Sequence, residues 1–380
     1  MSDRRKIIAG AIGLVAATFL LTCGGIFYWL HTITGDATGA LKLLEVMQII
    51  KSDYVEATGV EKLMDGAVKG AVNSLGDPHS IYMDAKMYKE FMIETEGSFG
   101  GVGIVLGVRD KVLTVISPIE GTPSEQAGIK GGDQITKIDG LDTKDMALDE
   151  AVNKIRGTIG TQVTLTITRG QEVKDYSLVR SNIQIKSVAG KMLPDSIGYI
   201  RISSFNETTG SDFIHKYREL EQAGMKGLIL DLRDNPGGLL QECIKVANLL
   251  VPKGPIVSVV SRTGEKETMQ SSLEEVPYPL VVLVNGGSAS ASEIVAGAVQ
   301  DTQAGVLVGT KTYGKGSVQT IKYLYDGTAI KLTIAKYLTP ADRSINGIGI
   351  EPNVVVDLPA DAKKDIQFDK AIEIVKSKLQ

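Results

Sequence analysis

Residues 7–30 contain no charged side chain, and this stretch constrains the chain more than any other feature. As an α-helix rising about 1.5 Å per residue it would reach about 36 Å, enough to cross the hydrocarbon core of a bilayer. Arg4, Arg5 and Lys6 precede it. Because positive residues stay on the cytoplasmic side, we expect an uncleaved anchor with the rest of the chain outside the cytoplasm.

A cleaved signal peptide is the alternative to an anchor. Signal peptides have an apolar region of about 7–15 residues with a small-residue cleavage site close behind. Here the stretch is longer, and the small residues Ala37-Thr38-Gly39 lie well past its end. Cys23 lies within the stretch, which leaves Cys243 without a disulfide partner, so we expect Cys243 to be a buried small apolar residue.

Composition excludes several function classes. The 380 residues are enough for two or three domains, and 45 acidic against 41 basic side chains give a net charge of -4. Nucleic-acid binding needs a basic footprint, which this balance does not supply. With three histidines and two cysteines we expect no metal site and no cofactor.

Changes in pattern along the chain divide it into segments. The first 96 residues comprise a short N-terminal end, the apolar stretch, a small-residue linker and a helical region. Short β-like runs punctuated by glycine and proline follow, then a long region of alternating strands and helices, and last an amphipathic helix. The predicted boundaries are a cytoplasmic tail 1–6, a transmembrane anchor 7–30, a linker 31–40, a helical N-terminal domain 41–96, a β-rich domain 97–182, an α/β core 183–360 and a C-terminal helix 361–380.

The glycine-rich segment 100–107 alternates glycine with branched apolar residues. Such a loop leaves backbone N–H groups free to face an anion, and the strand after it can pair with an extended peptide. A plain turn between strands is the alternative. Together with the segments 117–129 and 131–140, this region resembles the PDZ domain of bacterial proteases. The resemblance implies a groove that binds a C-terminal carboxylate and an apolar side chain, with the backbone of Gly101, Val102, Gly103 and Ile104 as the peptide-binding segment. An adaptor that does not cut is also compatible with this region.

A buried strand is predicted at 280–284, and a serine-rich turn follows it before a helix. A strand–turn–helix junction suits a nucleophile, because the N–H groups at the start of the helix can stabilise an oxyanion. Ser290 and Glu293 also fit a capping box, with Ser290 as an N-cap and no catalytic role. This stretch alone leaves both interpretations open.

A serine nucleophile needs a base. The three histidines, His31, His79 and His215, are poor candidates because of their positions beside the membrane, in a turn and on an amphipathic helix. A lysine can serve when burial lowers its pKa. Lys315 lies between two glycines that allow close backbone packing, and Gln319 follows at a distance suited to hold its amine.

Residues 309–315 nearly match the sequence motif of a phosphate-binding P-loop. The next position requires Ser or Thr for magnesium and holds Gly316, and residues 317–321 look like a strand where a P-loop needs a helix. We therefore set nucleotide binding aside.

The two motif regions, 285–293 and 314–319, closely resemble the carboxyl-terminal processing peptidases, also called tail-specific proteases. The resemblance extends to 198–205, to 230–240 and to Asp77-Pro78-His79-Ser80. It implies Ser290 as nucleophile, Lys315 as base and Gln319 as the lysine's orienting partner. The oxyanion donors implied are the N–H groups of Ala291 and Gly238. Asp342 departs from the pattern, since the family usually has glycine there.

The resemblance implies a multidomain fold: an N-terminal transmembrane helix, a small helical arm, a PDZ (α+β) domain and an α/β crotonase-like serine protease core. We expect a membrane-anchored endopeptidase, on the extracytoplasmic side of a bacterial membrane, that cleaves proteins with free, apolar C-termini. The PDZ domain is expected to gate the active site, with Arg156 as the link; an exposed arginine before a turn is the alternative. A catalytically silent PDZ scaffold is the other function class. The helical ends indicate either a homodimer interface or simple packing.

Overall fold

The computed structural model describes residues 2–359 and 361–379, with side chains from residue 7 onward. The chain divides into two units, 1–82 and 83–380. Of the predicted cytoplasmic tail, Met1 and the side chains of residues 2–6 lie outside the described part of the chain.

The first unit is helical. Its helices are α1 (Ser2–Thr34), α2 (Ala37–Asp53) and α3 (Val60–Asn73). Residues Ile7–Thr34 of α1 are long and apolar enough to cross a membrane, by length and composition alone. The predicted linker 31–40 is wrong in extent, because α1 and α2 occupy nearly all of it. The reason is Asp36, whose side chain accepts the Gly39 N–H at 3.0 Å and caps α2.

The predicted helical domain 41–96 is split between the two units. Strand β1 (Ile81–Met83) lies at the boundary, and helix α4 (Ala85–Glu96) belongs to the second unit. Gly97, in a left-handed conformation, ends α4 as predicted from the change in pattern there.

Residues 98–184 form short strands and two helices: β2 (Ser98–Gly101), β3 (Ile104–Arg109), β4 (Val112–Pro118), α5 (Pro123–Gln126), β5 (Gln134–Ile138), β6 (Leu141–Asp142), α6 (Leu148–Ile155), β7 (Gln162–Arg169), β8 (Glu172–Val179) and β9 (Ser181–Gln184). The main sheet has the order β3-β4-β5-β7-β8, and β2 pairs separately with β9. On β7 every second residue, Val163, Leu165 and Ile167, is buried, as expected for a strand with one face on a core.

The remaining elements are β10 (Val188–Leu193), β11 (Ile197–Ile202), α7 (Thr209–Gln222), β12 (Gly227–Asp231), α8 (Leu240–Ala247), β13 (Gly254–Ser261), β14 (Lys266–Ser271), β15 (Leu280–Val284), α9 (Ala291–Asp301), β16 (Val306–Gly309), β17 (Ser317–Tyr323), β18 (Ala329–Leu338), β19 (Val354–Val355) and α10 (Ile366–Leu379). The strands predicted at 197–202 and 280–284 have those bounds.

A mainly parallel sheet of order β10-β11-β12-β15-β16-β19 forms the centre of this region. Helices α7, α8 and α9 cover one face and α10 covers the other. Every residue of β12 and β15 is therefore buried, which explains their continuous apolar sequences. A second, antiparallel sheet joins β14, β13, β18 and β17. The loops that follow β12 and β15 meet at one edge of the central sheet, where parallel strands place binding sites.

Candidate active site

Ser290 lies at the turn between β15 and α9 and has an unusual backbone. Its φ of 53° and ψ of -112° are rare for a residue with a side chain and cost about 1–3 kcal/mol. The Tyr337 hydroxyl donates to the Ser290 carbonyl at 3.1 Å, and the Glu293 N–H donates to the same oxygen at 2.9 Å. These bonds hold the strained turn in place. An ordinary N-cap has extended dihedral angles, so capping alone does not account for this conformation.

Glu293 was predicted only as a member of a capping box, and the structure gives it a larger role. Its buried carboxylate accepts the Ser290 N–H at 2.8 Å and the Lys315 N–H at 2.8 Å through Oε2. Its Oε1 accepts the Thr312 hydroxyl at 2.6 Å and the Gly314 N–H at 2.7 Å. One side chain thus joins the two segments that carry the predicted serine and lysine. The sequence carried a signal for this role, because Glu293 is the one acidic residue in the otherwise uncharged segment 291–299. Every residue of that segment is buried.

The glycines beside Lys315 allow the close backbone packing predicted for them. A Cβ atom on Gly314 would lie 2.8 Å from the Gly349 nitrogen, and one on Gly316 would lie 2.7 Å from the Asn346 nitrogen. Lys315 itself is half-buried. Strand β17 begins two residues later, so the helix that a P-loop requires is replaced by a strand. The structure thereby supports setting nucleotide binding aside.

Gln319 lies on β17, in the pair of strands that follows Lys315. Its Nε2 donates to the Ser317 hydroxyl at 2.8 Å and to the Thr333 hydroxyl at 3.2 Å. These bonds use both amide hydrogens, so Oε1 is the atom with which Gln319 can accept from an amine.

The turn after β12 packs directly on Ser290. A Cβ atom on Gly237 would lie 2.8 Å from the Ser290 Cβ and 2.9 Å from the Ala291 nitrogen. The Phe205 N–H donates to the Gly237 carbonyl at 2.9 Å, and the Leu239 N–H donates to the Phe205 carbonyl at 2.7 Å. Because alternate residues of an extended chain point to opposite sides, the Gly238 N–H points away from Phe205. Gly238 is exposed, as a donor to a bound group needs to be.

Asn235 lies within the motif segment 230–240 without a predicted role, and the structure places it at the centre of this turn. Its side chain is fully buried, donates to the Ile202 carbonyl at 2.9 Å and accepts the Gly237 N–H at 2.9 Å. Its carbonyl accepts the Ala289 N–H and the Ser292 hydroxyl, each at 3.0 Å. Asn235 therefore sets the position of the glycine turn relative to the segment that carries Ser290.

The predicted peptide-binding loop 100–107 is mostly strand. Gly101 ends β2, Ile104 begins β3, and only Val102 and Gly103 lie between them. The Gly103 carbonyl accepts the Ser124 hydroxyl at 2.6 Å, which holds this break. In the described sheet β3 is an edge strand, and it contacts α6. An edge strand beside a helix is the geometry that accepts an added peptide strand.

Arg156 follows α6 and is half-buried, not exposed. Its guanidinium carbon lies 4.3 Å from the centre of the Phe99 ring, on β2. Burial lowers the pKa of Arg156 from its usual value. The contact joins the end of α6 to the strand by which the chain enters this domain.

Asp342, the departure from the family pattern, has a φ of 56°. This left-handed conformation favours glycine, and aspartate is among the residues that tolerate it best. The departure therefore leaves the turn intact.

Family models match three parts of the chain. Peptidase family S41 matches residues 196–356, the PDZ domain matches 90–168, and the activating protease CtpB N-terminal domain matches 31–87.

Among curated proteins, the chain is similar to the carboxy-terminal processing protease CtpA of Bacillus subtilis, with 44% identity over 87% of this chain and 71% of the relative. It is 42% identical to a carboxy-terminal-processing protease of Bartonella bacilliformis, over 84% of this chain and 75% of that one. Among solved structures, a photosystem II D1 C-terminal processing protease has a TM-score of 0.50 at 30% identity, covering 84% of this chain and 94% of that one.

Proposed function

The chain belongs to peptidase family S41, the carboxy-terminal processing proteases, and from that membership we propose that it is a membrane-anchored endopeptidase using Ser290 and Lys315. The observation that carries the proposal is the buried Glu293 carboxylate, which holds the backbones of both residues. A serine-type peptidase needs a nucleophile, a base and an oxyanion site in one place.

In the proposed reaction, neutral Lys315 takes the proton of the Ser290 hydroxyl, and the oxygen attacks a peptide carbonyl. The N–H groups of Gly238 and Ala291 stabilise the negative charge that develops on the carbonyl oxygen. Protonated Lys315 then donates to the leaving amine, and water, deprotonated by the lysine, releases the acyl group from Ser290. Gln319 Oε1 orients the lysine amine. The core is proposed to be crotonase-like.

Substrate selection is proposed to occur in the PDZ domain. The N–H groups between Gly101 and Ile104 would bind a C-terminal carboxylate, and the substrate's last residues would extend β3 beside α6. On β3, Ile104 and Leu106 are half-buried and pack against the apolar core of this domain, so the proposed groove has an apolar strand at its side. Proteins with free, apolar C-termini are therefore the proposed substrates.

Helix α1 is proposed to be the anchor, with the catalytic part outside the cytoplasm. Its apolar side chains are exposed, as a lipid-facing surface would be. The intact mass of membrane-extracted protein distinguishes an anchor from a signal peptide, because cleavage would remove α1.

A homodimer is also proposed, since α2 exposes the apolar side chains of Leu41, Leu44 and Ile49. Analytical ultracentrifugation in detergent would show the mass of the assembly.

The central experiment incubates the full chain in detergent with an unfolded protein ending in apolar residues. We expect cleavage that Ser290→Ala and Lys315→Ala each abolish, while Lys322→Ala, an exposed lysine on β17, leaves it unchanged. Absence of cleavage by the unmodified protein would support a silent scaffold. Because a lysine base must be neutral, activity is expected to fall as pH drops; a flat profile into mild acid contradicts a lysine base.

A second arm tests tail recognition. Amidating the C-terminus of the same substrate removes the carboxylate and is expected to lower kcat/KM. Equal cleavage of both forms would refute capture of the C-terminus by the PDZ domain while leaving the protease assignment intact.

A further inference from the structure

Residues 311–316 connect β16 to β17, and exposure along them is uneven. Thr312, Gly314 and Gly316 are buried, whereas Tyr313 is 62% exposed and Lys315 is half-buried. Gly314, between Tyr313 and Lys315, has a φ of 93°, a left-handed conformation that favours glycine, so the chain is not a regular strand here. Tyr313 therefore presents an exposed ring two residues before the predicted base.

The backbone at Tyr313 is tightly held although its ring is exposed. The Tyr313 N–H donates to the Ser288 carbonyl at 3.1 Å, two residues before Ser290. On either side, Thr312 and Gly314 donate to the Glu293 carboxylate. This anchoring holds the backbone of Tyr313 beside the segments that carry Ser290 and Lys315, and most of the surface of the ring is exposed.

From this arrangement we propose that Tyr313 is a specificity-determining residue, whose ring packs against a large apolar or aromatic side chain of the substrate beside the scissile bond. The inference rests on the proposed protease function. Tyrosine is well suited to this contact, because its rigid ring offers a large apolar surface at small entropic cost. Burying that surface favours substrates with a matching side chain, as in other apolar subsites.

The test uses the full chain in detergent and the variants Tyr313→Ala and Tyr313→Phe. Tyr325→Ala is the matched control, since Tyr325 is fully exposed beyond the end of β17. Mass spectrometry first locates the cuts that the unmodified protein makes. Peptides spanning one such cut are then made with Leu, Phe or Ala at each position next to it, and all carry the same C-terminal tail.

We expect Tyr313→Ala to reduce the preference for the large side chain over Ala, measured as a ratio of kcat/KM values, by about tenfold. Tyr313→Phe and Tyr325→Ala should keep the preference within about twofold. A damaged active site would lower kcat/KM for all peptides alike, so an unchanged ratio in Tyr313→Ala overturns the proposal.

Binding provides a readout that does not depend on cleavage. For calorimetry the same peptides are amidated at the C-terminus, which removes the carboxylate proposed to bind the PDZ domain. Binding to Ser290→Ala is compared with binding to Ser290→Ala/Tyr313→Ala, and we expect the double variant to bind the peptide with the large side chain about tenfold more weakly. Equal affinities count against Tyr313. Cleavage by Lys315→Ala as fast as by the unmodified protein, with this difference in binding retained, would instead reject the proposed function alone.

Discussion

Glu293 accepts the backbone N–H of Lys315 at 2.8 Å, through the carboxylate oxygen that also accepts the N–H of Ser290. The two residues that the motif predicted to react are separated in the chain by two elements, α9 and β16. One buried carboxylate joins the ends of those elements. Donor groups left without this acceptor would be buried and unpaired, which is costly.

Replacing Glu293 by Gln is expected to lower both activity and stability. The amide group keeps the shape but turns one acceptor into a donor that faces N–H groups, at a cost of about 2–4 kcal/mol in the free energy of unfolding. We expect kcat/KM per folded molecule to fall about 100-fold. Urea unfolding and peptide cleavage measure the two effects.

Glu242→Gln is the matched control for Glu293. The Glu242 carboxylate is also buried and accepts the Gly210 N–H at 2.9 Å, but it lies on α8. This change should reduce stability without reducing kcat/KM of the folded protein. If the two variants lose activity equally, Glu293 has no special role at the site.

Gly237→Ala is expected to disrupt the proposed oxyanion site. The new Cβ atom would lie 2.8 Å from the Ser290 Cβ, closer than such atoms approach, and the φ of 99° disfavours any side chain. We expect kcat to fall about 100-fold or more, comparable to the loss of one oxyanion donor. Steady-state kinetics with a peptide that carries the apolar C-terminal tail measures this change in kcat.

Gly224→Ala separates backbone strain from this contact. Gly224 has a φ of 87°, but a Cβ atom there would meet nothing within 4 Å. It should lose about 1 kcal/mol of stability and keep its kcat. A full loss of activity in Gly224→Ala would show that strain alone explains both variants.

The contact of Arg156 with Phe99 makes its proposed gating role testable. A substrate with a free C-terminus is expected to have a higher kcat than its amidated form, and Arg156→Ala is expected to reduce this ratio of kcat values. The affinity of the PDZ domain for a tail peptide should stay the same. Lys174→Ala is the control, because the Lys174 amine lies 5.0 Å from the Tyr176 ring within one strand, β8. If Arg156→Ala does not change this ratio of kcat values, Arg156 is a packing residue and not a gating residue.

The PDZ domain should lose stability in acid because of Asp133. The Arg169 hydrogen bonds, at 2.6 and 2.7 Å, lower the pKa of the Asp133 carboxyl below its usual value. A carboxyl with a lowered folded-state pKa contributes its full stability above the unfolded pKa, about 3.9, and loses it as pH falls through the folded pKa. We therefore expect the loss below about pH 4.

Asp133→Asn tests this assignment. At pH 7 we expect it to lower the free energy of unfolding by about 1.5–3 kcal/mol, the value of hydrogen bonds to a charged group. The difference from the unmodified protein should shrink toward pH 3, as followed by urea unfolding and circular dichroism. A difference independent of pH would assign the effect to packing.

Local pattern was sufficient for much of the fold. The strands at 197–202 and 280–284 were predicted with the observed bounds. For 280–284 the signal is a continuous apolar run, which is typical of a strand buried on both faces. Pattern was insufficient where a single cap decides a boundary, as at Asp36, because small residues suit a linker and a first helical turn equally well.

The sequence by itself determined the family and predicted the reactive residue types and their order along the chain, because short motifs with fixed spacing record them. Only the tertiary structure decided what holds those residues together. Three sets of contacts join segments that are distant in the chain. They are the hydrogen bonds of Glu293 to residues 312–315, the packing of Gly237 on Ser290, and the hydrogen bonds of the Asn235 side chain and carbonyl. A hydrogen bond between such segments has no periodicity in sequence, so it becomes visible only when the strands between them are assembled into one sheet.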